Sequence, residues 1–204
     1  MKTNSEYKNQ ALQSLEGNWG KAAIASLITF VIMELCGSSP ALLSDPVPSM
    51  VGQGLVTILL LPLAWGYYIF FLRLIRREDI GYSNLFDGFG DYLRILLAEL
   101  LKGIYELLWM LLLIIPGFVK AYSYAMTEFI LKDHPEMNGE AAICESMRLM
   151  KGHKMQLFLL DLSMIGWFLL SLLTLGIGFL FLVPYLYSAH AHFYEDLKSQ
   201  EVNI

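Results

Sequence analysis

The sequence predicts an all-α membrane protein: a polytopic bundle of about six transmembrane helices, arranged as three hairpins that each follow an amphipathic interfacial helix. Two observations carry this prediction. The chain of 204 residues is 56% hydrophobic, with a mean hydropathy of +0.51. Only 16% of its residues are charged, whereas soluble domains contain about 25%. The charges also cluster, so that long uncharged stretches alternate with short charged ones, which is typical of a chain that crosses a membrane several times.

Three segments have the period of an amphipathic helix lying on the membrane surface. They are residues 4–19, 81–94 and 138–152, with Ser83 and Asn138 as the predicted N-caps of the second and third. In the second segment the repeating residues are aromatic. The predicted apolar faces are Tyr7, Ala11, Leu12, Leu15 and Trp19 in the first segment, and Ala141, Cys144, Met147 and Met150, with Ile143 beside them, in the third.

Six apolar stretches follow these segments in pairs. Residues 37–50 form a loop rich in proline and serine, Pro116-Gly117 is a turn signal, and residues 175–178 form a tight link. The stretch 118–132 is shorter than the ~17 residues at the low end for a span. The predicted spans are 21–36, 51–75, 93–115, 118–132, 154–174 and 178–196.

The distribution of lysine and arginine predicts which side each loop faces. Six spans place both termini on one side, and the three loops on the other side contain no Lys or Arg. The positive-inside rule then puts both termini in the cytoplasm. A five-span alternative without residues 118–132 would place a basic cluster outside. The basic residues on the side of the termini include Lys2, Lys8, Arg73, Arg76, Arg77, Lys132, Arg148, Lys151 and Lys154.

One unit also recurs three times within what we predict to be a single membrane domain, in residues 1–76, 77–134 and 135–204. The second span of each hairpin has a proline near its start. Tyrosine and histidine rings after these prolines are typical of the headgroup level of a bilayer, although prolines and tyrosines are common in membrane helices in any case. The side chains six residues after the prolines are Tyr68, Tyr122 and His190, and those eight residues after are Phe70, Tyr124 and His192.

Charged side chains within spans are the candidate functional residues, because a charge in a bilayer is costly and often functional. Glu99, Lys102 and Glu106 are spaced three and four apart, so they share one face of the third span. Asp161 lies about two turns into the fifth span. One hypothesis is a polar path for an ion, a proton or a charged headgroup. The other, which we favour, is an ion-pair network that holds helices together.

No pattern predicts catalysis, a cofactor or a metal. His190 and His192 point to different faces of a helix, and pairing His192 with Asp196, or His190 with Tyr194, gives too few ligands for a metal site. Phosphate loops, zinc-protease motifs and nucleophile elbows are missing from the sequence, and so are nucleic-acid-binding motifs. Cys36 and Cys144 fall on opposite sides of the predicted membrane and are interpreted as small apolar residues.

Several segments together resemble a bacterial membrane family known as domain of unknown function 975. The resemblance covers nearly the whole chain. It implies a small bacterial inner-membrane protein and no assigned activity, cofactor or site. The segments that carry it are 15–21 (LEGNWGK), 85–89 (LFDGF), 114–126 (IIPGFVKAYSYAM), 150–154 (MKGHK), 160–167 (LDLSMIGW), 173–178 (LTLGIG) and 191–197 (AHFYEDL).

Two main functional hypotheses follow, and both rank ahead of a third, an intramembrane enzyme. The first is a non-catalytic scaffold, accessory or regulatory module, whose surface helices present cytoplasmic faces to a protein partner or a second copy of the chain. The second is a small transporter or lipid-handling protein that uses the Glu99, Lys102 and Glu106 stripe, since repeated hairpins are common in transport folds. In both, the lipid bilayer is the main partner, and nucleic acid is not expected.

Overall fold

A computed structural model describes residues 2–38 and 46–202, and within these ranges every regular element is helical and no strand occurs. The all-α prediction is therefore confirmed. The helices are α1 (Asn4–Leu15), α2 (Trp19–Ser38), α3 (Pro46–Leu59), α4 (Leu61–Ile75), a 3₁₀ helix (Tyr82–Phe89), α5 (Tyr92–Leu112), α6 (Ile114–Tyr124), α7 (Thr127–Asp133), α8 (Gly139–Leu149), α9 (Lys154–Leu162), α10 (Ile165–Leu173) and α11 (Phe179–Val202).

Helices α4 and α11 form the centre of the protein. α11 packs against α1, α2 and α4, and α4 packs in addition against α5, α7 and the 3₁₀ helix. α4 begins with Pro62 in its first turn, where the missing N–H leaves no helical hydrogen bond unmade. Aromatic side chains fill the interface between these helices: Phe70, Phe71, Phe129 and Phe193 are completely buried. Such large, fully buried rings contribute most of the packing energy of a core.

Two glycines allow the 3₁₀ helix to lie directly on α4. A Cβ atom on Gly66 would be 2.0 Å from the carbonyl oxygen of Leu85, and one on Gly88 would be 2.3 Å from that of Pro62. Both distances are too short for any side chain. The second amphipathic segment is therefore tied to the bundle through backbone contacts.

The first amphipathic segment folds as α1, and its start is fixed by a capping box. Glu6 N–H donates to Thr3 Oγ1 at 3.3 Å, and Thr3 N–H donates to the Glu6 carboxylate at 2.6 Å. The predicted face is correct for Tyr7 and Leu15, both completely buried, whereas Leu12 is 44% exposed. α1 and α2 meet at an angle of 93°, so the chain turns sharply before its first long apolar helix.

The third amphipathic segment folds as α8, but the predicted apolar face is largely wrong. Asn138 is the N-cap as predicted, since its side chain accepts a hydrogen bond from Ala141 N–H at 2.8 Å. Ala141 and Cys144 are nevertheless exposed, and Cys144 is a free cysteine. The buried residues of this segment are Ala142, Ile143, Ser146, Leu149 and Met150. Ser83 is not an N-cap, because Gly81 occupies that position without a side-chain hydrogen bond.

Several predicted boundaries shift. Residues 46–50 belong to α3, and residues 39–45 of the predicted loop lie outside the described residues. Pro116 and Gly117 lie inside α6 rather than in a turn, since the break after α5 is at Leu113, whose backbone is extended. The tight link at residues 175–178 is confirmed: Leu175 and Gly176 both adopt positive φ, of 53° and 88°.

Two stretches are long and apolar enough to cross a membrane, Gly54–Ile75 and Lys154–Leu173. They coincide with the predicted second and fifth spans. A third stretch qualifies if α1 and α2 are counted together across their bend. Two or three helices of the described residues could therefore span a membrane.

Candidate functional site

The predicted charged stripe on α5 meets a glutamate from α7 at the centre of the bundle. Lys102 Nζ donates a hydrogen bond to Glu128 Oε1, and the two side chains are 15% and 2% exposed. Trp65 Nε1 on α4 donates to the backbone carbonyl of Glu128 at 3.1 Å, which fixes α7 at this depth. Glu99 interacts electrostatically with both Lys102 and Glu128. Helices α5 and α7 thus place one ammonium and two carboxyl groups together, and we call Glu99, Lys102 and Glu128 the inner charge cluster.

Sequence reasoning did not select Glu128, which lies close to the end of the short apolar segment 118–132. The structure makes it the most buried acidic residue in the described part of the chain, at 1% exposure. The stripe residue Glu106 is only half-buried and interacts with Lys102 electrostatically. A glutamate directly before the apolar residues Phe129, Ile130 and Leu131 was the available signal, but its partner lies on another helix.

Asp161 does not join the inner charge cluster. Its two oxygens accept hydrogen bonds from different helices: His190 Nε2 on α11 at 2.6 Å and Tyr122 O–H on α6 at 3.1 Å. Tyr122 and His190 both lie six residues after a proline, as the predicted repeat requires. Asp161 therefore links α6, α9 and α11, and these three residues form a second polar cluster.

Aromatic rings connect the two clusters. Tyr68, the third residue at this repeat position, packs edge-on against Tyr187 with ring centroids 4.4 Å apart. Tyr187 in turn contacts the His190 ring at 6.5 Å. Tyr68 also interacts electrostatically with Glu128 and Glu99. A continuous row of polar side chains therefore crosses the bundle from α5 to α9.

The remaining predicted residues lie apart from this row. Tyr124 is buried and packs against Tyr105 with centroids 6.4 Å apart. His192 lies 2.8 Å from Ser14 Oγ of α1, so the two histidines do point to different faces. Asp196, the proposed companion of His192, accepts a hydrogen bond from Tyr7 O–H at 2.5 Å instead. Among residues 2–38 and 46–202, no group of three or more His, Cys, Asp or Glu side chains is arranged to hold a metal.

A third polar cluster joins the ends of α4, α7 and α11. The Arg76 guanidinium donates to both oxygens of Asp133 at 2.7 Å and to Glu195 at 2.8 Å, and Lys198 also bonds to Asp133. Burial by itself raises the pKa of Asp133, but the hydrogen bonds from Arg76 and Lys198 outweigh it and hold the pKa well below its usual range. This network, which sequence reasoning missed, ties together three chain segments that are distant in sequence.

A cavity of about 670 Å³ lies between α2, α4 and α11. Its walls are mainly apolar, with Phe30 and Met33 among them. Polar groups occur along one side, where Ser26 Oγ lies 2.6 Å from the Tyr67 hydroxyl. Thr29 Oγ1 is buried there without a hydrogen-bond partner. The volume falls within the range of ~300–1,000 Å³ of small-molecule pockets.

Comparison with known protein families gives one result. The chain matches the family described as Protein of unknown function (DUF975) over residues 1–123 and 110–201. Neither the curated proteins nor the solved structures contain a match. The two segments together cover nearly the whole chain, as the resemblance of the sequence motifs predicted. The chain belongs to this family.

Proposed function

Starting from membership of this uncharacterised family, we propose that the chain is a six-span bacterial inner-membrane protein with both termini in the cytoplasm. We propose further that it acts there as a non-catalytic scaffold, accessory or regulatory module. The observation that carries the functional proposal is that Lys102 and Glu128, and likewise His190 and Asp161, are paired with each other across helices.

The lengths of the helices support six spans. α2, α5 and α11 contain 20, 21 and 24 residues, which at 1.5 Å per residue gives about 30 Å or more, the thickness of a bilayer core. α5 carries Arg94, Glu99, Lys102 and Glu106 and is therefore less apolar than an ordinary span. Because Lys102 is paired inside the protein, this part of the charge does not face lipid. α6 and α7 together supply the fourth crossing.

The exposed surface supports the same arrangement. Large apolar side chains lie open on α5, at the start of α6, on α10 and in the turn that follows α10, including Leu111 at 75%, Ile115 at 78%, Leu173 at 80% and Leu175 at 95% exposure. Water-soluble proteins rarely expose contiguous apolar patches of this kind. A lipid environment is the solvent in which such a surface is stable.

Pairing of the charges supports a structural rather than a transporting role for the stripe. Lys102 and Glu128 face each other, and Asp161 is held by His190 and Tyr122. A path for a charged substrate needs polar groups that are free to exchange partners along an opening. Paired, buried groups instead hold helices in register.

The cytoplasmic side offers a surface for a partner. A hollow of about 710 Å³ opens beside α1 and is lined mainly by polar side chains. Its lining includes Lys21 and Arg77 as well as Glu16 and Asp79, so charges of both signs are present. This composition suits a polar protein segment.

Native mass spectrometry of the protein, extracted gently from its own membrane, tests the proposal. A stoichiometric protein partner supports the scaffold. The protein alone with one defined lipid or small molecule bound contradicts it. The Glu106→Gln variant serves as the matched control. It removes a partly exposed charge, so binding of the protein partner should be unchanged.

Lipid handling is the second candidate, and the cavity between α2, α4 and α11 favours it. Its apolar walls suit an acyl or isoprenoid chain, and the unpartnered Thr29 hydroxyl suits a polar group at the end of that chain. Ala64→Phe would fill the cavity, whereas Ile58→Phe changes an exposed position nearby. Loss of a co-purified lipid in the first variant alone would support this function. Equal retention in both variants would exclude the cavity as the lipid-binding site.

A further inference from the structure

Two carboxyl oxygens are buried in the inner charge cluster without any hydrogen-bond partner: Glu99 Oε1 and Glu128 Oε2. An ionised carboxylate can only accept hydrogen bonds, and a buried oxygen that accepts none is costly. The whole Glu128 side chain is 2% exposed, so bulk water does not supply the missing donor. If all three side chains of the cluster were ionised, two of the carboxylate oxygens would therefore lack a hydrogen-bond donor.

The charges of the cluster do not balance either. Lys102 provides one positive charge, and its ammonium is bound to the other oxygen of Glu128. Glu99 and Glu128 provide two negative charges that repel each other. The neighbouring groups from α4 and α11 are the phenols of Tyr68 and Tyr187, and on α5 the half-buried carboxyl of Glu106. None of these is a cation that could neutralise the second carboxylate.

We infer that Glu99 and Glu128 form a proton-binding site, in which Glu99 carries the proton and Glu128 stays ionised against Lys102. The assignment follows from the contacts, because the ammonium stabilises the charge on Glu128 and no cation is bonded to Glu99. A proton on Glu99 leaves one carboxylate against one ammonium. Two carboxyl groups that share one proton are a known solution when like charges lie close together.

A proton fits this site better than a metal ion. Two carboxyl groups give too few oxygen ligands for Na⁺, Mg²⁺ or Ca²⁺, and the Lys102 ammonium would repel any of these cations. The inference goes beyond the proposed function. It does not depend on the number of spans or on a partner, since the two unpartnered oxygens are buried by the protein itself.

Infrared spectroscopy of the full chain in lipid nanodiscs tests the inference, because the C=O stretch of a protonated carboxyl is separate from that of a carboxylate. At neutral pH in buffer with K⁺ as the only metal cation, the wild type should show one such band that shifts in D₂O. Glu99→Gln should lose this band, since glutamine mimics the protonated side chain without a titrating group. Glu106→Gln, on the same face of α5, should retain it.

Three outcomes would overturn the inference. The first is a wild type without the band at neutral pH, which would mean that both carboxyls are ionised. The second is a band that survives in Glu99→Gln and disappears in Glu106→Gln, which would place the proton on Glu106. The third is a band that is lost when Na⁺ replaces K⁺, which would identify a sodium site. The wild-type measurement decides the first and third outcomes even if a variant fails to fold.

Discussion

Replacing Lys102 by methionine measures how much the ion pair between Lys102 and Glu128 stabilises the bundle. Methionine keeps most of the aliphatic stem, so the substitution removes the charge with little loss of packing. Glu128, at 1% exposure, would be left without the ammonium that is bonded to it. Removing one member of a buried pair costs about 3–5 kcal/mol, since the remaining charge is neither solvated nor paired. We expect the free energy of unfolding to fall by this amount.

Equilibrium unfolding in mixed detergent micelles, followed by the fluorescence of the four tryptophans, measures the change. Lys120→Met is the control, since Lys120 is bound less tightly, with its Nζ 4.8 Å from the centre of the Trp109 ring. Loss of this cation–π contact should cost about 0.5–1 kcal/mol. The double variant Lys102→Met/Glu128→Gln should recover most of the stability, because no unpaired charge remains.

Two results would refute this reasoning. A loss in Lys102→Met no larger than in Lys120→Met would mean that the pair is solvated. A double variant as unstable as the single one would mean that packing rather than charge causes the loss.

Three further predictions follow from other parts of the fold. The stabilisation that Asp133 provides should be fully present above the pH where an unfolded aspartate titrates, about 3.9, and should be lost as the pH falls through the depressed pKa of the folded state. Unfolding of the wild type and Asp133→Asn across pH should therefore give curves that converge in acid. Gly66→Ala should destabilise the protein by about 1–3 kcal/mol, because its methyl group would overlap the backbone of the 3₁₀ helix. Gly103→Ala is the control in the same unfolding assay. Its methyl group meets open space on α5, so it should be neutral or stabilise the protein by up to about 1 kcal/mol. Single cysteines at Glu136 and Ile177, in a background without the two native cysteines, should react differently with a membrane-impermeant label on intact cells, and equal labelling would contradict the six-span topology.

Helical period predicted the elements that bury simple apolar stripes. Tyr7, Ala11 and Leu15 recur at four-residue intervals and are all completely buried. On α8 the same reasoning chose a face one residue away from the true one. The reason is Ser146, which is buried because its hydroxyl donates to Ser123 O and accepts from Met126 N–H at 2.9 and 3.1 Å. The burial of a polar residue that is held by tertiary hydrogen bonds cannot be predicted from a pattern of hydrophobicity.

The candidate site was predicted only in part for the same reason. Spacing correctly placed Glu99 and Lys102 on one face of α5, because such spacing depends on a single helix. Glu128 and the partners of Asp161 come from other helices, and the sequence contains no signal for which helix faces which. Which side chains pair across helices is therefore seen only in the structure.

The contact between α1 and α11 has a consequence for biosynthesis. α1 packs mainly against α11, yet the two helices stand at opposite ends of the described chain. The buried face of α1, with Tyr7 hydrogen-bonded to Asp196, has no complete partner until the other described helices have been made. A chain interrupted before α11 would leave this face uncovered, and chaperones and proteases could recognise it. The C-terminal helix of the described chain thus closes the structure that its N-terminal helix begins.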